Sequence, residues 1–173
     1  MANLPSTYAP NDVSVVITKD SLVHIVGGFS EDSIVSITQN SARFEKYTGA
    51  DNTSTRIYKA DTSASVTLSL QQTSVSNDFL SQLHLNDLET KDSTGYFQLT
   101  IKDNSGRTLV NTSSAFIAIL PDINYSNGME IREWGLDMFD TNTYIGGNSK
   151  FTAAEVTTYE ALGSRTVAPE WID

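Results

Sequence analysis

Between Ser65 and Leu88 the chain changes its period, and that change restricts the folds open to it. Val66, Leu68 and Leu70 alternate with Ser65, Thr67, Ser69 and Gln71. A period of two makes a strand with one aliphatic face and one face of hydroxyls and amides. Phe79, Leu80, Leu83 and Leu88 then follow at loose helical spacing, which predicts a short helix over residues 76–89. Ser74 or Ser76 is placed to cap its first turn, and Asp78 lies where the helix dipole favours a negative charge. A strand running straight into a helix, in a chain whose other signals are all short strands, predicts a mainly β protein.

Those other signals come in pairs. Residues 12–17 and 21–26 read as strands joined at Lys19-Asp20, and Gly27-Gly28 then permits a bend. Residues 33–39 alternate again. Two short runs of matched character, FEKY and RIYK, flank a wholly polar stretch, which predicts a long hairpin from strands 42–48 and 55–60. After the helix, strand 96–102 leads into the turn Asp103-Asn104-Ser105-Gly106, and 108–111 pairs back. Segments 115–120, 130–138 and 143–145 complete the strands, and Pro121 ends the first of them. The expected architecture is an antiparallel β-sandwich or barrel with one flanking helix, occupying residues 1–148. Its first twelve residues form an extended lead-in. Residues 149–173 are expected to be a C-terminal arm, with a short helix over 152–162 stopped by Gly163.

Composition removes several function classes. There are no cysteines, so disulfides and thiolate chemistry are excluded. His24 and His84 are far apart and lack metal-ligand spacing, and no serine sits in a nucleophile elbow. Gly27-Gly28 and Gly146-Gly147 lack the setting of a phosphate loop. The reading is that the chain is not an enzyme and needs no cofactor. No apolar run reaches membrane-spanning length, and the first residues lack the basic and greasy segments of a signal peptide. With 21 acids against 11 bases the net charge is −10, which opposes tight binding of nucleic acid, since that attraction comes from Lys and Arg meeting phosphates.

Several blocks, in order, resemble the tail tube proteins of contractile-tailed bacteriophages. They are Tyr8-Ala9-Pro10-Asn11-Asp12-Val13, Gly28 to Val35, and Leu70-Gln71-Gln72-Thr73-Ser74 running on to Ser81. Ile101-Lys102-Asp103, Pro121-Asp122, Arg132 to Asp137 and Tyr144-Ile145-Gly146-Gly147-Asn148 continue the series. The resemblance covers residues 8–148 and leaves the arm without a counterpart. It implies a fold similar to the type VI secretion tube protein, with six copies closing into a ring and rings stacking into a tube that conducts DNA. The implied partners are further copies of the chain, a sheath protein, a tape measure, and baseplate and terminator proteins. Genomic DNA would pass without specific binding. The implied location is the virion, after assembly in the host cytoplasm, with no membrane anchor.

On that footing residues 35–40, 42–47, 55–59 and 65–71 are expected to form the inner sheet. Ser65, Thr67, Ser69 and Gln71 would face the channel, together with Arg43, Glu45 and Arg56. The tip Gly49, Ala50, Asp51, Asn52, Thr53 and Ser54 would contact the next ring. Tyr8, Pro10, Asp12 and Val13 would clasp a neighbour, and Trp134 reads as core. Two alternatives stand beside the tube. One is a baseplate or terminator ring of the same fold. The other is a β-sandwich module for carbohydrate or adhesion, which needs an exposed aromatic platform that the scattered Tyr and Trp residues do not obviously supply.

Overall fold

Alternation decides which side of each strand leaves water. In the computed structural model, which describes residues 8–163 and 165–173, the strands are β1 (Val13–Lys19), β2 (Leu22–Ile25), β3 (Val35–Gln39), β4 (Phe44–Thr48), β5 (Ser54–Tyr58) and β6 (Ala64–Gln71). Helix α1 (Ser76–Thr90) follows, then β7 (Phe97–Asp103), β8 (Leu109–Ile119), β9 (Ile131–Met138), β10 (Asn142–Tyr144) and helix α2 (Ala153–Ala161). Residues 1–7 of the expected lead-in lie outside the described residues.

Eight strands form one antiparallel sheet in the order β2-β1-β7-β8-β9-β6-β3, with β10 against the first half of β8. Val15 and Ile17, Val66, Leu68 and Leu70, Leu99 and Ile101, and Trp134, Leu136 and Met138 all point into a single core. β1 and β6, each one strand in from an end of the order, share that core, so the sheet is rolled, and α1 closes it with Leu80 and Leu83. Each fully buried aliphatic side chain contributes roughly 1.5–3 kcal/mol relative to exposure. Leu88, the last residue of the expected helical stripe, is exposed.

The α1 entrance is tied from both sides. Ser74 sits one residue ahead of the N-cap Val75, and its Oγ accepts from Ser76 N. Ser76 does not cap: its Oγ accepts from Gly27 N and lies 3.0 Å from His24 Nε2. Gly28 has φ +73, and a Cβ there would come 2.7 Å from Ser74 Cβ, so this bend accepts only glycine. Residues 108–111 and 115–120, expected as two strands, are one strand. Thr112 is buried, its Oγ1 accepts from Ser114 N, and a register shift against β7 absorbs the polar interval.

Candidate assembly surface

β3 and β6 do not end where their sheet ends. The chain continues from β3 through residues 40–43 into β4, and returns from β5 through 59–63 into β6. Asn40 N donates to Ser63 O and Lys59 N to Arg43 O, so the two hairpins form one ribbon with an irregular waist. The four segments expected to make one inner sheet are therefore two pieces. β3–β6 belongs to the main sheet, and β4–β5 is a separate two-stranded projection.

Every residue of β4 and β5 is exposed, including Phe44, Tyr47, Ile57 and Tyr58. The tip is nonetheless ordered by its own bonds. Gly49 N donates to Thr53 O and Asn52 N to Gly49 O, while Asn52 takes φ 65. Thr53 N and Oγ1 both donate to Asp51 Oδ1, at 3.1 and 2.7 Å, and these bonds hold the Asp51 carboxyl below its ordinary pKa. Ala50 and Ser54 are open to water beside it.

The register Lys46↔Arg56 puts Arg56 on the face of Phe44 and Lys46, where its guanidinium lies 4.6 Å from the Phe44 ring. Glu45 is on the other face and pairs with Lys59 at 2.6 Å. Glu45 and Arg56, both expected to face the channel, thus point to opposite sides of the hairpin. Arg43 lies in the waist, half-buried, near Asp61.

On β6 the polar row is uneven. Thr67 is open and Ser65 hydrogen-bonds Asn40 and Asp137. Gln71 donates to Phe29 O. Ser69 is only 3% exposed, because residues 30–34 cross over it: Ser30 N donates to Ser69 O and Ser69 N to Ile34 O. Opposite this row, Ser36 and Thr38 on β3 and Gly135 and Asp137 on β9 extend the same polar face. At the N-terminal side Tyr8, Pro10 and Asp12 are exposed and Val13 is half-buried, paired with Asp103. Tyr8, Pro10 and Val13 border a groove of about 890 Å³ that runs to Ile25, Phe29 and Val35. Trp134 is core, and its Nε1 donates to Asn77 Oδ1 at 2.9 Å.

The motif blocks have structural work of their own. Gly146 approaches Arg107 so closely that a Cβ would meet Arg107 Cβ at 2.5 Å. Its carbonyl accepts from Thr108 Oγ1, and Asn148 Nδ2 donates to Ser105 Oγ. Gly-Gly-Asn thereby fastens the chain to the β7–β8 turn. The arm then folds back on the same turn. The Arg107 guanidinium lies 4.4 Å from the Phe151 ring and 4.8 Å from that of Trp171, and its Nη1 donates to Ser149 O at 2.8 Å. Phe151 N donates to Trp171 O, and Tyr159 Oη meets Tyr144 Oη at 2.8 Å. A Thr152–Glu155 capping box starts α2. Sequence reasoning had no signal for this cradle, since Arg107 and the arm it holds lie more than forty residues apart.

Among the described residues no cluster of His, Cys, Asp or Glu could hold a metal ion, and no helix is long and apolar enough to cross a membrane. A family model described as the bacteriophage PhiTE tail tube protein matches residues 5–146. The structural protein ORF10 of Pseudomonas phage KPP10 is 46% identical over 165 residues, covering 94% of this chain and 95% of that protein. Among solved structures, the tube-terminating cap of the anti-feeding prophage has a TM-score of 0.52 at 11% identity, covering 83% of this chain and 95% of that one. The sheath/tube terminator of the extracellular contractile injection system PVC has a TM-score of 0.52 at 16% identity, covering 82% and 99%.

Proposed function

Because the chain belongs to the bacteriophage PhiTE tail tube protein family, whose members are structural proteins and not enzymes, we propose that six copies close into a ring and that rings stack into the tube that conducts DNA. The single observation that carries this reading is the β4–β5 hairpin, exposed on both faces with Phe44, Tyr47, Ile57 and Tyr58 uncovered. A lone two-stranded ribbon is marginal in water, and uncovered aromatic area of this kind marks a contact with another molecule. Among the described residues β2 and β3 have no partner on their outer edges at the two ends of the sheet, and through these edges copies would join side by side.

The lumen wall in this proposal is the polar face of β3, β6 and β9, with Thr67, Ser65, Ser36 and Thr38 at its centre. Few cations face the passing phosphates there, so few counterions are released and DNA slides. Tyr8 to Val13 clasps a neighbour, and 49–54 touches the ring above. Sheath, tape measure, baseplate and terminator proteins complete the assembly in the virion. A second reading, a single terminator ring, is favoured by the fold likeness to two terminators. The carbohydrate-binding alternative lapses with membership of a phage structural family.

Electron microscopy of the purified protein at high concentration separates the readings. Stacked tubes are expected; isolated rings that never polymerise would favour the terminator, and a strictly monomeric particle under all conditions would refute both. Replacing residues 49–54 by Asn-Gly should abolish stacking while leaving the monomer folded, and unchanged polymerisation would reject the role of the tip.

A further inference from the structure

We propose that the β4–β5 hairpin of one copy seats in the groove between residues 120–131 and the start of α1 on the next copy, making the polymer head to tail along β6. This rests on the tube reading above and names the surface that receives the hairpin.

The groove, of about 560 Å³, is lined by Gln72, Asn77, Leu120, Ile123, Tyr125 and Trp134. Its rim is uncovered and apolar: Leu120 is 50% exposed, Ile123 71% and Tyr125 83%. The segment is nevertheless held in place. Arg132, 8% exposed, donates from Nη1 to Asp122 O and from Nη2 to Asn124 O, and its guanidinium lies 5.4 Å from the Tyr125 ring. A buried cation spent on two loop carbonyls fixes a shape that would otherwise collapse to hide its apolar side chains.

Position and charge identify the occupant as a second copy. The hairpin leaves β6 before its first residue, Ala64, and the groove begins after its last, Gln71. At about 3.3 Å per residue the two sites stand roughly 25 Å apart, at opposite ends of the strand. In residues 43–59, Arg43, Lys46, Arg56 and Lys59 outnumber Glu45 and Asp51 to leave +2, in a chain of net charge −10. In residues 120–132, Asp122 and Glu130 against Arg132 leave −1. Two unlike patches, apolar at the centre and opposite in charge, make a heterologous contact that uses each patch once per copy and does not close on itself.

The chain has no cysteine, so single thiols can report the contact. Ala50→Cys and Ile123→Cys both alter exposed side chains and leave the core intact. The two variants, mixed in equal amounts, polymerised and mildly oxidised, should give a disulfide-linked dimer on a non-reducing gel that neither variant gives alone. Polymer without a mixed dimer would overturn the proposed seat while leaving the tube reading standing. Lys46→Glu with Arg56→Glu should shorten the polymer, and adding Asp122→Lys with Glu130→Lys should restore it. Failure of that rescue would also count against the seat. No ring or tube from the unsubstituted chain would overturn the tube reading, and this contact with it.

Discussion

Arg107→Ala should release the C-terminal arm without unfolding the body. The guanidinium touches two rings and one carbonyl of the arm: Phe151, Trp171 and Ser149 O. Each half-exposed cation–π contact is worth roughly 0.5–1 kcal/mol. The hydrogen bond from a charged donor adds about 1.5–3 kcal/mol when well shielded, and this site is only half-buried, so the low end applies. Together they come to about 2.5–3.5 kcal/mol, or on the order of a 70- to 400-fold shift toward the undocked arm. The Tyr144–Tyr159 bond and the Arg165–Tyr144 stacking at 4.2 Å remain to oppose it. Trypsin reads the shift directly, because Lys150 and Arg165 flank α2 and cleavage tracks the population of the open form. Cleavage at both sites should accelerate by a comparable factor while far-UV circular dichroism and the unfolding midpoint of the body stay put. Arg107→Lys, which keeps the charge but not the planar face, should fall between. Equal cleavage rates in all three proteins would refute the claim that this one side chain holds the arm.

Two further tests concern the body. Leu68→Ala removes a fully buried side chain at the centre of β6 and should cost about 3–5 kcal/mol in denaturant unfolding; a loss below about 1 kcal/mol would mean the core is not organised around this strand. Burial lowers the pKa of His24 from its ordinary 6.5, and the ring stacks on Phe79 at 4.2 Å. Ser76 Oγ accepts from Gly27 N and lies 3.0 Å from the ring Nε2, a bond whose donor is set by the ring tautomer. A folded-state pKa below the unfolded one means this stability is complete above the ordinary value and is lost as the pH falls through the folded one. The unfolding midpoint should therefore drop between about pH 7.5 and about pH 5 by less in His24→Gln than in the parent, and equal drops would reject the assignment.

Where local pattern and burial coincide, the fold is legible in the residues. Val66, Leu68 and Leu70 alternate and are buried, and the change of period at Ser76 marks the helix start. β8 is harder, because Asn111-Thr112-Ser113-Ser114 has the composition of a turn, yet Thr112 hides its hydroxyl in a local bond and the strand runs on. The faces of the assembly surface are harder still. Ser69 belongs by alternation with Thr67, but a segment forty residues upstream covers it, and no local signal announces that crossing. Thr38 pairs with Ser65 while Phe44 pairs with Tyr58, so one residue of register is lost at the waist. That slip decides which hairpin side chains share a face, and neither FEKYT nor STRIY alternates strongly enough to reveal it.

The waist between the two hairpins has a mechanical meaning of its own. Asn40 N to Ser63 O, Lys59 N to Arg43 O and Ser41 Oγ to Asp61 Oδ2 are its struts, and the core cluster contributes no side chain to it. Polar struts beside water can exchange one partner for another at little cost, whereas the rolled sheet beneath cannot shear without exposing leucines. In a stacked tube, every subunit would then carry a compliant joint between a rigid drum and the prong that grips the next layer. Such a stack would bend by sharing small tilts among these joints rather than by deforming the rolled sheets.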